Sequence, residues 1–202
     1  MRLLPAGERA LLVELDDLDA VLGLHAALEA TPPRGVTELV PAAQTLLVAF
    51  DPAATDEARL ATALRETRFE PGARADGPLV EIPVEYDGED LADVAAASGL
   101  AADEVARLHA AGEYVVAFCG FAPGFGYLTG LDERLHVPRR ESPRTRVPAG
   151  AVAIADRFTA VYPRASPGGW RLIGHTGATL WDVDRDPPAL LSPGTRVRFV
   201  PA

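Results

Sequence analysis

Residues 118–130 read FCGFAPGFGYLTG, and the reading of that run decides how the second half of the chain folds. Gly120, Gly124 and Gly126 alternate with Phe121, Phe125 and Tyr127. A helix fits badly, because glycine and proline are the two poorest helix formers. A central strand fits badly as well, since Pro123 has no N–H to give to a ladder. The run reads as a shaped loop after the strand Tyr114–Phe118 (YVVAF). Its pliant backbone can approach a ligand, and its rings can wall one. The same residues also suit a tight corner of a small β-barrel whose core the rings fill. Composition leaves both readings open.

Two later segments favour a site. Arg139, Arg140, Arg144 and Arg146 crowd together in a chain whose formal net charge is -10. A guanidinium is a planar fork that takes a carboxylate or phosphate through two hydrogen bonds. Arg144 and Arg146, two apart, share a side if the segment is extended, and Pro143, Pro148 and Gly150 restrict its path. The plainer alternative is a solvated turn whose arginines pair with the chain's many carboxylates. Ser166-Pro167-Gly168-Gly169-Trp170 again sets flexible backbone beside a ring. His175, between Gly174 and Thr176, has little bulk beside it. It suits proton transfer or anion orientation, or else is a satisfied histidine at a barrel end.

The whole chain sets bounds. Its 202 residues, 48% of them apolar, allow one large domain or two small ones. The acidic balance argues against non-specific nucleic-acid binding, which needs a basic surface. The single cysteine, Cys119, excludes an intrachain disulfide and a four-cysteine zinc site. It ends a strand of buried type and reads as an inert thiol. The chain has no GxSxG elbow, P-loop or HExxH. Its four histidines have no ligand spacing, so no metal is expected. The start, MRLLPAGERALLVEL, lacks the long apolar core of a leader and reads as mature sequence. No stretch approaches the roughly 18 apolar residues of a membrane span. A cytoplasmic protein is expected.

Periodicity gives the elements. Residues 8–15 (ERALLVEL) suit a buried strand. Leu18, Val21, Leu22, His25 and Leu28 form one helical face behind Asp16 and Asp17, which favour a helix start. His25 reads as a packed histidine. Strands around 36–40 and 45–50 follow, then a helix over about 55–67 with Leu60 and Leu64 on one face. Residues 1–72 are thus expected to form a small α+β domain of ββαββα type, with a Pro/Gly-rich linker over 70–78. Residues 79–202 are expected to form a mainly β barrel. Val80, Ile82, Val84 and Tyr86 point one way, and Pro83 marks an edge strand. Helices over about 91–97 and 103–111 come next, with Val105, Leu108 and His109 on one face. Short strands with Pro/Gly turns then close a small barrel.

GFAPGFGYL, LHVPRRESPRTRVPAG, YPRASPGGWRLIGHT and SPGTRVRFVP closely resemble the B-type subunit of the bacterial 5-oxoprolinase. That family also includes proteins described as allophanate hydrolase subunit 1 and as an inhibitor of a sporulation histidine kinase. The resemblance covers nearly the whole chain and is strongest over about 105–201. It implies a small α+β domain followed by a cyclophilin-like barrel. It also implies a polypeptide that works with two others of the 5-oxoprolinase, a larger C-type subunit (allophanate hydrolase subunit 2-like) and an A-type subunit. The reaction it implies opens 5-oxoproline to L-glutamate with ATP hydrolysis, ATP serving as co-substrate with Mg in the complex. Alternatives within the resemblance are an allophanate hydrolase or urea carboxylase-type subunit and a kinase inhibitor; prolyl isomerisation rests on barrel analogy alone.

By the resemblance, Arg144, Arg146 and His175 supply catalytic cations and donors. Gly120, Phe121, Pro123, Gly124, Phe125, Ser166, Pro167, Gly168, Gly169 and Trp170 form the substrate surface. The chain departs from the family pattern at Gly126, where proline is usual, at Ala151, Ala153, Ala155 and Asp156, at Phe158 in place of glutamine, and at Ala160 in place of glycine. Asp156 adds negative charge beside the expected anion site.

Overall fold

Asp17 lies in extended backbone, and its side chain accepts the Ala20 N–H at 2.8 Å. That cap starts helix α1 (Leu18–Ala30) by satisfying one of the donors a helix leaves unpaired at its N-terminus. The structure, a computed structural model, describes residues 1–73 and 77–202. It divides into two compact units, Met1–Ala75 and Asp76–Ala202. The expected linker over 70–78 includes residues 74–76, which lie outside the described residues.

In the first unit, strands β1 (Arg2–Pro5), β2 (Ala10–Glu14), β3 (Val36–Pro41) and β4 (Thr45–Phe50) form an antiparallel sheet in the order β1-β2-β4-β3. Helix α2 (Glu57–Glu66) is capped by Asp56 on the Arg59 N–H. Alternation along β2 and β4 puts Leu11 and Val13, and Leu46, Val48 and Phe50, in one core with Leu24 and Leu28 of α1 and Leu60 and Leu64 of α2. The order is the expected ββαββα. The first strand lies ahead of the apolar run that suggests one, because Leu3 and Leu4 are too short a signal. His25 is packed as expected, 8% exposed. Burial pushes its imidazole below the ordinary value, against the opposing charge of Glu29.

The second unit is a nearly closed barrel with two helices. Its strands are β5 (Leu79–Val84), β6 (Tyr114–Cys119), β7 (Gly126–Thr129), β8 (Arg144–Val147), β9 (Ala151–Ala155), β10 (Phe158–Val161), β11 (Ser166–Gly168), β12 (Arg171–His175) and β13 (Arg196–Pro201). Seven pair in the order β12-β9-β10-β7-β6-β13-β5, and a bridge between Glu85 and His175 brings the two ends together. β5 is an end strand, as Pro83 suggests, and pairs parallel to β13. β8 and β11 form a separate ribbon. Helices α3 (Leu91–Ser98) and α4 (Ala102–Ala111) add Val94, Val105 and Leu108 to the barrel core.

β9 is buried on both faces. Val152 and Ile154 point into the barrel core, while Ala151, Ala153 and Ala155 face a second cluster holding Phe125, Tyr162 and Trp170. The family departures to alanine thus form a flat floor under large rings. Phe158, another departure, meets Phe118 edge-on at 5.7 Å and Tyr127 at 5.8 Å. His109 is fully buried and structural. Its ring bonds the Tyr86 hydroxyl at 2.8 Å and the Thr159 hydroxyl at 2.9 Å, and lies 4.5 Å from the Phe199 ring. Burial pushes it down to about 3, so it is neutral at ordinary pH.

Candidate functional site

The loop between β6 and β7 is built by short backbone bonds. Ala122 N–H donates to Gly120 O at 2.7 Å, Phe125 N–H to Ala122 O at 3.0 Å, and Gly120 N–H to Phe125 O at 3.2 Å. Two residues take left-handed backbone, Phe121 at φ 67° and Gly124 at φ 81°. Glycine adopts that conformation freely. A phenylalanine there costs on the order of 1–3 kcal/mol and needs surrounding structure to hold it. A side chain at Gly124 would also press on Trp181, whose Cβ lies 2.9 Å from where a β-carbon would stand. The strain aims one ring outward: Phe121 is 59% exposed, whereas Phe125 is 2% exposed. Both readings of the run are realised, Phe125 filling a core and Phe121 walling a surface.

That surface is a cleft of ≈ 140 Å³. Phe121 and Phe125 come from the loop, Tyr127 from β7, and Tyr162 directly follows β10. Gly168, Gly169 and Trp170 form the opposite side, and Arg139 stands at the edge. The rings meet edge to face: Phe121 and Phe125 at 5.2 Å, Phe125 and Trp170 at 5.7 Å, Tyr127 and Trp170 at 5.6 Å. Such pairs are worth about 0.5–1.5 kcal/mol beyond the area they bury. The Arg139 guanidinium lies 5.9 Å from the Trp170 ring centre, within reach of its negative face. Asp156 approaches Arg139 at 4.0 Å across exposed surface, so this departure does place a negative charge beside the cleft cation. The first unit has a wider, open hollow of ≈ 430 Å³ lined by Gly23, Ala26, Ala27 and the 68–73 segment. It lacks the ring walls of the cleft.

The expected catalytic arginine is held elsewhere. Asp90 precedes α3 and is 1% exposed. Arg144 grips it with both ends of its fork, Nη1 to Oδ2 at 2.8 Å and Nη2 to Oδ1 at 2.9 Å. Arg140 Nη1 adds a third bond at 2.6 Å, and the Leu172 N–H a fourth at 2.8 Å. Arg144 Nη2 also reaches Glu89 at 3.1 Å. Burial pushes the Asp90 carboxyl up, but the Arg144 bonds, the Leu172 N–H and the charges of both arginines outweigh it. The carboxyl lies below the ordinary value. A buried charge requires such partners. Asp90 thereby ties the arginine segment and β12 to the start of α3. Neither Arg140 nor Arg144 lines the cleft.

Of the other expected site residues, Gly120 and Pro123 belong to the loop. Ser166 and Pro167 lie on β11, and Ser166 Oγ is buried without a hydrogen-bond partner among the described residues. Arg146 is exposed on β8. His175 ends β12, five residues from Trp170, about 16 Å at a strand's rise of about 3.3 Å per residue. Its Nδ1 lies 2.7 Å from Asp87 Oδ1, and its Nε2 lies 3.8 Å from Glu85. The Asp87 bond raises its imidazole above the ordinary value. Glu85, Asp87 and His175 bring ligand atoms within 4.8 Å of one another, a grouping that histidine spacing does not reveal; all three are exposed. Cys119 is half-buried, and burial pushes its thiol up to about 11, far from the thiolate a nucleophile needs. Sequence reasoning does not single out Asp90, Tyr162 or Arg139 as site residues. Alternation between Arg139 and Arg140 is the one signal that one faces out and the other in.

No helix among the described residues is long and apolar enough to cross a membrane. The chain is 57% identical over 126 residues to the B-type subunit of 5-oxoprolinase from Escherichia coli O157:H7, a match that covers 61% of this chain and 58% of that protein. It is 50% identical over 125 residues to the same subunit from Bacillus subtilis (strain 168), covering 60% and 52%. The matches thus span little more than half of these relatives. Among solved structures, TTHA0988 superposes with a TM-score of 0.78 at 40% identity, over 96% of this chain and 40% of that one. The Kluyveromyces lactis urea carboxylase superposes with a TM-score of 0.73 at 21% identity, over 99% of this chain and 21% of that one, a likeness of fold alone. The family described as carboxyltransferase domain, subdomain C and D, matches residues 1–191, and the chain belongs to that family.

Proposed function

We propose that this chain is the B-type subunit of an ATP-dependent 5-oxoprolinase, acting on 5-oxoproline together with the A-type and C-type subunits. The observation that carries the reading is the cleft, in which three glycine-, ring- and arginine-rich segments meet. Likeness to two proteins described as that subunit supports it.

The reaction consumes one ATP and two waters. A lactam carbonyl resists water, so its oxygen is first phosphorylated. Water then attacks the activated carbon, the ring C–N bond breaks to leave an acyl phosphate, and a second water hydrolyses it to glutamate and phosphate, ADP having left at the first step. Closed walls strengthen every charge interaction at the reacting carbonyl. In this reading Phe121, Phe125 and Trp170 exclude water, and Arg139 takes the substrate carboxylate. Gly120, Pro123 and Gly124 shape the loop, while Ser166 and Pro167 lead the chain to Gly168 and Gly169. Arg144 acts through Asp90 as a positioning residue. Arg146 and His175, both exposed, are left to a cavity that a partner completes. A cleft of ≈ 140 Å³ falls below the ≈ 300 Å³ at which drug-sized pockets begin. Its size supports binding the nucleotide, with Mg, elsewhere in the assembly.

The test is to mix the chain with the A-type and C-type subunits and follow ADP release. Release that depends on 5-oxoproline and on all three proteins is expected. A complete mixture that releases none, beside an established oxoprolinase that does, removes the reading. Release on allophanate instead would move the protein to urea use.

A further inference from the structure

Tyr162 is 2% exposed, yet it lines the cleft. Its ring is fixed edge-on to Phe125 at 5.3 Å and to Phe121 at 6.2 Å. A backbone N–H, that of Trp170, lies beside its oxygen. Among the described residues no group accepts the hydroxyl's own hydrogen. Burial pushes the phenol above its ordinary value, against the smaller effect of that N–H. The group therefore keeps its proton and stands as a donor beside Gly168.

The neighbouring glycine points the same way. Gly168 does not have left-handed backbone, so its conformation does not require glycine. What forbids a side chain there is space. A β-carbon at 168 would stand on the Tyr162 hydroxyl and the ring carbon that bears it. At Gly169 a β-carbon would meet nothing closer than Pro143 at 3.6 Å, an ordinary contact. One glycine of the pair thus leaves room for a single hydroxyl, and Tyr162 and Gly168 both line the cleft.

We infer that Tyr162 is the residue that orients the ligand in the cleft. Its O–H donates to the ring carbonyl of a small flat lactam or imide, and Gly168 keeps the place of that hydroxyl clear. The volume of ≈ 140 Å³ lies below the ≈ 300 Å³ at which drug-sized pockets begin, which suits a small ring better than a nucleotide. Ring edges and faces on several sides favour a flat occupant. Arg139 at the edge adds a preference for a carboxylate on that ring. The choice of 5-oxoproline among such ligands rests on the function proposed above; the role of Tyr162 does not.

The experiment titrates the full chain with 5-oxoproline, 2-pyrrolidinone and proline, following the Trp170 indole N–H by NMR. Proline has the ring and carboxylate but no ring carbonyl. Tyr162→Phe removes one oxygen and keeps the packing. It is expected to weaken both lactams about tenfold and to leave any weak proline binding unchanged. Gly168→Ala is expected to give the same selective loss by displacing the hydroxyl, and it decides the matter if the Phe variant fails to fold. Equal lactam affinity in wild type and variant overturns the inference. So does a wild-type chain whose Trp170 responds to neither lactam. A response to 2-pyrrolidinone without one to 5-oxoproline, lost in Tyr162→Phe, keeps Tyr162 and sinks the substrate reading.

Discussion

Asp17 and Asp90 stand in the same place on paper, each an aspartate just ahead of a helix that begins with leucine. Asp17 behaves as the local rule says and accepts the Ala20 N–H. Asp90 makes no side-chain cap bond. It is sunk to 1% exposure and taken by two arginines and a strand N–H, residues 50 to 82 positions away. An N-cap is one donor–acceptor pair in contact with water. A buried carboxylate must collect enough partners to offset its lost hydration, and they can come from anywhere in the chain. The first aspartate starts a helix; the second ties the arginine segment and β12 to the start of α3.

Removing each aspartate separates the two roles. Asp90→Ala leaves Arg140 and Arg144 without their shared carboxylate, and breaking a buried pair costs about 3–5 kcal/mol. Denaturant melting reads the cost, and a variant as stable as wild type would reduce the cluster to surface decoration. Acid is expected to weaken the second unit in two stages. His109 has a folded value depressed to about 3 from the ordinary 6.5. Its contribution is whole above 6.5 and is lost as pH falls toward 3, because the unfolded chain binds a proton that the fold refuses. Asp90, also depressed, adds its loss only below its unfolded value of 3.8. Melting temperatures that stay flat between about pH 7 and pH 4 would contradict the His109 stage. Asp17→Ala is expected to cost least, about 1 kcal/mol, with the lactam response of Trp170 unchanged. A loss as large as that of Asp90→Ala would erase the contrast.

The same contrast explains what is legible in the sequence. Helix and strand periods are local, so α1, α2, β2 and β4 lie within a few residues of where periodicity puts them. The glycine and ring run reads as a loop with walls because glycine, proline and aromatic residues leave few other uses for such a stretch. Arg144 reads as a ligand-binding fork, and its fork is filled by a carboxylate 54 residues upstream. His175 reads as a candidate because it has little bulk beside it, yet it stands at the far end of β12 from Trp170, which precedes that strand. Arg139 does not stand out among four arginines because nothing local distinguishes it. Tyr162 stays hidden because its meaning lies in what Gly168 lacks.

The amino-acid order alone determined the two-part plan, the apolar faces and the family, since each depends on short-range periodicity or on contiguous motifs. Which arginine is buried and which meets a ring, and which glycine guards a hydroxyl, were decided by the tertiary structure. Partners for a buried charge and space beside a buried oxygen are properties of distance in three dimensions, and residues far apart in the chain set them.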